Sequence, residues 1–306
     1  MKNKFVGALL GFVVGDVLGS PFEGIGAPDI KEQYGYIKGP VKANAYTDDT
    51  IMMKIVLDTI LEEGKYNPQS VLKKYIENKD KMIGIGLTTY YALSHASLDD
   101  IYAGAKYASS MGYGFGNGPL MRISPITLYH FYSDDIEKFV NDIISETLLT
   151  HYTNKAVTSA VMFSKFLNSI GEGLSPEDSY LEALDLVHYI PSEFLDEKVV
   201  KIFEESLNMN IESLEPREFK GLITNTLRIA VISSFEEDFE ETLLTIVNMG
   251  GDTDTNCAVS GAVLGIKLGY EAIPKEWLEY VSIKDEIIEK SEKLYDLAKS
   301  RSAQNS

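Results

Sequence analysis

Two stripes of glycine constrain this fold more than any other feature of the chain. Gly7, Gly11, Gly15 and Gly19 recur at every fourth position around an apolar stretch from Lys4 to Leu18, and Gly261, Gly265 and Gly269 repeat the spacing near the other end. Residues four apart share a helix face. Small residues on that face let two backbones approach closely. The spacing therefore predicts two buried helices in contact, with the far end of the chain folded back on its beginning.

Ahead of the second stripe stands Met249-Gly250-Gly251-Asp252-Thr253-Asp254-Thr255-Asn256, followed by the apolar run Ala258–Leu268, which reads as a buried helix. Asp252 and Asp254 are two residues apart and cannot share a helix face. They converge only where the backbone is still turning, at the helix N-terminus. One N-cap would account for Asp252 or Thr255 alone, but not for two carboxylates and two hydroxyls together. An EF-hand is excluded, because no Gly follows Asn256 and Val263 stands where the closing Glu is needed. A second stretch repeats the chemistry: Tyr46-Thr47-Asp48-Asp49-Thr50 opens the apolar run Ile51–Leu57. The two sets offer carboxylate and hydroxyl oxygens without Cys or His, which suits Mg2+, Mn2+ or Ca2+ and not zinc. Several carboxylates at one site repel one another unless cations neutralise them, so a two-metal cluster is expected.

The formal net charge of −18 argues against a nucleic-acid surface. An anionic substrate would need help from metals, helix N-termini or a few basic side chains. The single cysteine, Cys257, excludes an internal disulfide and fits a reducing cytoplasm; it reads as a small buried hydrophobe. Met1-Lys2-Asn3-Lys4 before Phe5–Val14 resembles the start of a signal peptide, yet Asp16 interrupts the apolar stretch and no small-x-small cleavage site follows. No run is expected to reach the ~18 apolar residues of a membrane span.

Periodicity is helical almost throughout. Helices are expected near 4–18, 49–63, 69–79, 87–95, 118–132, 135–149, 153–170, 177–188, 195–208, 217–234, 238–248, 255–268 and 284–300. Residues 27–45, rich in Gly, Pro and Tyr, read as a loop. No alternating strand or Asn-Gly hairpin appears. The expectation is an all-α fold, a single compact domain over 1–300 with a frayed polar tail at 301–306. Glu23 lies just past the first helix and becomes a candidate for the site. The stretch Ser109–Arg122 carries four glycines and two aromatics, and reads as a ligand loop in which backbone N–H groups meet phosphate and Phe115 stacks. Among the histidines, His95, His130 and His188 read as structural or exposed. His151 sits at a helix junction and is the one candidate for function.

Together these motifs resemble the ADP-ribosylglycohydrolase family, from Gly7 to about Trp277. The marks are Gly11-x-x-x-Gly15-Asp16-x-x-Gly19 with Glu23, Thr47-Asp48-Asp49-Thr50, Gly116-Asn117-Gly118 with Met121-Arg122, Thr150-His151, and Gly251-Asp252-Thr253-Asp254-Thr255-Asn256. The resemblance implies an orthogonal multi-helix domain with two Mg2+ or Mn2+ ions at the base of a cleft. It implies that Thr47, Asp48, Asp49, Asp252, Asp254 and Thr255 hold them. Gly116, Asn117, Gly118 and His151 would line the ADP-ribose site, Phe115 would stack where the family often has Tyr, and Gly86 would belong to a diphosphate loop.

The implied reaction is hydrolysis of the glycosidic bond of an ADP-ribosylated protein or small molecule, releasing ADP-ribose, with an arginine linkage expected. Glu23, Asp48 and Asp254 are the carboxylates expected to act in catalysis, as base or by stabilising an oxocarbenium-like transition state. Rivals are hydrolysis of serine-linked, nucleobase-linked or O-acetyl conjugates, a non-catalytic ADP-ribose binder or structural member, and a metal-dependent phosphohydrolase. Retention of Glu23 and every Asp favours the enzyme.

Overall fold

The computed structural model describes residues 1–304. The helices follow in the order α1 (Lys2–Gly19), α2 (Ala27–Tyr34), α3 (Asp48–Glu63), α4 (Pro68–Asn78), α5 (Leu87–Ser94), α6 (Ala103–Ser110), α7 (Ser124–Tyr129) and α8 (Ile136–Leu148). The second half continues with α9 (Asn154–Glu172), α10 (Pro176–Asp185), α11 (Glu197–Ser206), α12 (Ile223–Ser233), α13 (Phe239–Met249), α14 (Thr253–Leu268), α15 (Lys275–Leu278) and α16 (Lys284–Gln304). The fold is all-α, and among the described residues two isolated bridges, Gly26 with Gly250 and Gly116 with Leu222, are the nearest approach to a strand.

Helices α1 and α14 form the axis of the core, as the glycine stripes predict. A methyl group added to Gly7, Gly11, Gly15 or Gly19 would overlap the carbonyl oxygen of Gly265, Gly261, Cys257 or Thr253 respectively. Only a hydrogen can occupy those positions. The order of these pairs makes the helices antiparallel, so the C-terminal end of α1 lies beside the N-terminal end of α14. Buried residues from Phe5 to Ala298 surround this pair in one continuous cluster. Cys257 is among them, fully buried and unbonded to another cysteine.

Several expectations need correction. By length and composition Lys2–Phe22 is apolar enough to cross a membrane, although no such run was expected; 89% of that window is buried inside the fold, as in a core helix. The presumed loop at 27–45 contains α2, whose start carries Pro28 and Asp29, residues suited to a helix N-terminus. Helix α6 also escaped, because its Ala, Gly and Ser content hides the apolar stripe. The helix expected at 118–132 shortens to α7, which begins only at Ser124-Pro125. The helix expected at 217–234 breaks around Gly221 into a 3-10 turn, Pro216–Phe219, and α12. At the far end α16 runs on to Gln304, and Arg301 lies 3.9 Å from the ring centre of Tyr129. The expected tail is thus helical through 304, while 305–306 lie outside the described residues.

Candidate active site

The antiparallel α1–α14 pair brings two distant carboxylate motifs to one place. At the end of α1 the chain pairs with the entry to α14: the Gly24 N–H donates to the Gly251 carbonyl at 2.7 Å, and the Gly251 N–H donates to the Ile25 carbonyl at 2.8 Å. Gly250 and Gly251 both have positive φ, +72° and +85°, the backbone region open to glycine. This exchange sets Glu23 beside the start of α14. One oxygen each from Glu23, Asp252 and Asp254 lie within 4.8 Å of one another.

The start of α3 reaches the same floor from the other side, and Asp16 holds it there. Asp16 is fully buried inside α1. It accepts from the N–H and hydroxyl of Thr47, each at 3.0 Å, and from the N–H and hydroxyl of Thr50 at 3.1 and 2.6 Å. Thr47 also caps α3 by accepting from the Asp49 N–H. Its hydroxyl donates once, to Asp16, and accepts once, in this cap, which leaves one lone pair for the ligand role expected of it. Thr47 lies beside the Gly84 loop that roofs the site, its Cβ 3.8 Å from where a Gly84 side chain would stand. Asp48 and Asp49 face the cleft. Across from them, the Asp48 N–H donates to the Ile83 carbonyl at 2.9 Å, seating Gly84 over the site. Gly84 has φ +89°, and a side chain there would press on Asp48 Oδ1 and Glu23 Oε2.

On the α14 side Asn117 donates to Asp252 Oδ2 and, at 2.8 Å, to the Thr226 hydroxyl, which in turn donates to Asn256 Oδ1 at 2.8 Å. The Asn117 side chain thus orients a carboxylate; the expected ADP-ribose contact would have to come from its edge on the cleft. The Thr255 N–H donates to Asp254 Oδ1 at 2.9 Å.

Burial and mutual repulsion shape the electrostatics of this floor. Burial pushes Asp16 up to about 6 and Asp48 up to about 8. Asp49 and Asp254 are raised well above the usual carboxylate range by burial and then by their acidic neighbours, and Asp252 and Glu23 are also raised, again chiefly by burial. Asp49 Oδ2 is buried with no hydrogen-bond partner. Among the described residues, no cationic side chain is among the main influences on these six carboxylates. Buried charge of one sign without a partner is strongly disfavoured. An all-oxygen set with an orphaned carboxylate oxygen fits a hard divalent cation.

Above this floor opens a cleft of about 890 Å3. Its walls include Gly86 at the start of α5, Gly116 and Gly118, and fully buried His151 from the turn between α8 and α9. Tyr113 lines the cleft and stacks on Tyr91 with ring centres 5.0 Å apart. Phe115, the expected stacking residue, lies elsewhere: it is 45% exposed and faces a separate shallow groove with Tyr152 and Phe194, under the ammonium of Lys155. Gly114 between them, at φ +121°, turns the backbone so that the two aromatics face different sides. Arg217 and Lys220 also line the cleft, on the segment that joins the glycine loop through the Gly116–Leu222 bridge. Asp16, Gly84, Tyr113 and Thr226 were not singled out from the sequence as site residues. An Asp inside an otherwise apolar helix was the available signal for the first; the others carry none that sets them apart.

The ADP-ribosylglycohydrolase family model matches residues 1–304. The chain is 24% identical to ADP-ribosylhydrolase ARH3 of Mus musculus, over 90% of this chain and 86% of that protein. It is 23% identical to ADP-ribosylarginine hydrolase Tri1 of Pseudomonas putida, over 97% of this chain and 79% of that protein. A solved structure described as an ADP-ribosylglycohydrolase-related protein complex has the same fold, with a TM-score of 0.78, 26% identity, and coverage of 97% of this chain and 98% of that one.

Proposed function

Because the chain belongs to the ADP-ribosylglycohydrolase family, we propose that it releases ADP-ribose from ADP-ribosylated arginine in a reaction that requires two Mg2+ or Mn2+ ions. As an ADP-ribosyl hydrolase it cleaves the glycosidic bond of ADP-ribose conjugates. The observation that carries the finer reading is the crowding of Glu23, Asp48, Asp49, Asp252 and Asp254 at one cleft floor without a basic partner. Two features support an arginine leaving group. The chain's net charge of −18 favours a guanidinium leaving group, and Glu23 presents an exposed carboxylate on the floor to meet it. The Pseudomonas putida relative is named for ADP-ribosylarginine.

The Thr47 hydroxyl, Asp48, Asp49, Asp252, Asp254 and the Thr255 hydroxyl would hold the ions. When bound, these supply Lewis-acid polarisation and offset the carboxylates' repulsion. Asn117 keeps Asp252 turned toward the floor, and Asp16 keeps the α3 motif in place. Gly116 and Gly118 allow the ribose and diphosphate to approach the backbone, with Arg217 and Lys220 facing the phosphates and Tyr113 offering a stacking surface. Glu23 takes a proton at its carboxylate from the attacking water as the C–O bond forms at the anomeric carbon. The C–N bond breaks with its electron pair going to the guanidine nitrogen, which receives that proton. Negative charge on Asp48 and Asp254 stabilises the oxocarbenium-like transition state.

The test is release of free ADP-ribose from an arginine-ADP-ribosylated protein with Mg2+, with Mn2+ and with chelator, alongside serine- and nucleobase-linked conjugates. Metal-dependent release from arginine is expected. Release from another linkage alone would overturn the arginine assignment, and full activity in chelator would overturn the role of the ions.

A further inference from the structure

The cleft residue His151 is connected to a buried polar cluster that the reaction above does not use. Arg122 is fully buried; its Nε donates to Glu146 Oε1 at 2.7 Å, and its Nη2 donates to the Glu146 carbonyl at 3.1 Å and to Thr150 Oγ1 at 2.7 Å. The hydroxyls of Tyr75 and Tyr66 complete the Glu146 carboxylate, at 2.7 and 2.8 Å. Thr150 Oγ1 lies 2.7 Å from His151 Nδ1.

We propose that Arg122 and Thr150 are positioning residues that lock His151 in the tautomer protonated on Nε2, making it a standing hydrogen-bond donor to an acceptor oxygen of the ADP-ribose unit. A guanidinium has five donors and no acceptor. Thr150 Oγ1 must therefore accept from Arg122. Among the described residues, His151 Nδ1 is the one partner left for the hydroxyl's single proton. Nδ1 is then an acceptor, and a neutral ring carries its proton on Nε2. The complete burial of the ring, and then the charge of Arg122 one hydroxyl away, disfavour a second proton. On the cleft side Nε2 abuts Gly116 and Gly118, where an added side chain would come within 3.4 Å of it. The glycines leave room there for a substrate oxygen.

The identity of the acceptor rests on the substrate reading above; the tautomer does not. Nitrogen-15 NMR of the histidine rings tests it, with His151→Gln identifying the His151 signals among the four histidines. In the wild-type protein a pyridine-type Nδ1 and a pyrrole-type Nε2 are expected. Thr150→Val, which removes the relay at constant shape, is expected to shift the ring toward Nδ1–H and to weaken ADP-ribose binding by about tenfold, the scale of one lost hydrogen bond. Thr150→Ser is expected to restore both. A pyrrole-type Nδ1 in the wild-type protein would overturn the proposal, as would ring signals or ADP-ribose affinity unmoved by Thr150→Val. Failure to hydrolyse arginine conjugates leaves the ring signals untouched and counts only against the linkage.

Discussion

Two buried charged clusters lie close together in this molecule and solve the same problem in opposite ways. Around Glu146 the chain supplies every counter-charge itself: Arg122, Tyr66 and Tyr75 surround one fully buried carboxylate. Five carboxylates on the cleft floor and Asp16 behind them gather, among the described residues, with no guanidinium or ammonium between them, and burial raises every one. In the first arrangement the charges are matched as folded, with only Arg122 Nη1 left without a hydrogen-bond partner in the cluster. The second is complete only when something positive arrives. A buried charge that the sequence leaves unpaired marks a place for a ligand; one that is paired marks a scaffold.

The contrast predicts opposite consequences for removing a charge. Arg122→Met should be the most damaging change to stability, by roughly 3–5 kcal/mol, because it strands Glu146 as an uncompensated buried charge; chemical denaturation measures it. If instead the variant is as stable as the parent, the paired cluster is not the scaffold described here. Asp48→Asn or Asp254→Asn should do the reverse. Activity should fall by about a hundred- to a thousandfold, as when a preorganised electrostatic group is lost. The chelated protein should melt no lower than the parent, since one repelling carboxylate has gone. A lower melting temperature in chelator would mean these residues are structural.

Asp16→Asn probes the boundary between the two behaviours. It keeps the packing while weakening the four hydrogen bonds that fix Thr47 and Thr50. Metal affinity is expected to drop by about ten- to a hundredfold, the scale seen when a residue orienting metal ligands is removed, with a small change in melting temperature. The smallest effects separate the two aromatics of the glycine loop. Tyr113→Ala should weaken ADP-ribose binding by about two- to tenfold, as expected for one lost stacking contact, whereas Phe115→Ala should leave it unchanged. The opposite ranking would return the stacking role to Phe115.

Much of this was legible in the residues. The glycine stripes state that α1 and α14 touch, and except at Gly269, which meets the Asn3 side chain, their partners in the fold are backbone carbonyls. The paired acidic motifs at two helix starts state that oxygen ligands converge. Less legible was anything decided by the direction of one side chain. Thr47 and Asp48 are neighbours in sequence, yet the Thr47 hydroxyl is anchored on Asp16 while Asp48 faces the cleft. Tyr113 and Phe115 exchange places across the turn at Gly114. Helix α2 was hidden by the Gly and Pro content of its flanks, and α6 by small residues that blur its apolar face.

Calorimetric titration of the chelator-treated protein with Mn2+ and Mg2+ tests the central claim most directly. Two ions are expected to bind per chain, with binding lost or halved in Asp254→Asn and unaffected in Phe115→Ala. No heat of binding at millimolar metal, in a protein that still melts cooperatively, would contradict it: the carboxylates of the cleft floor would then have to be neutralised by protons alone.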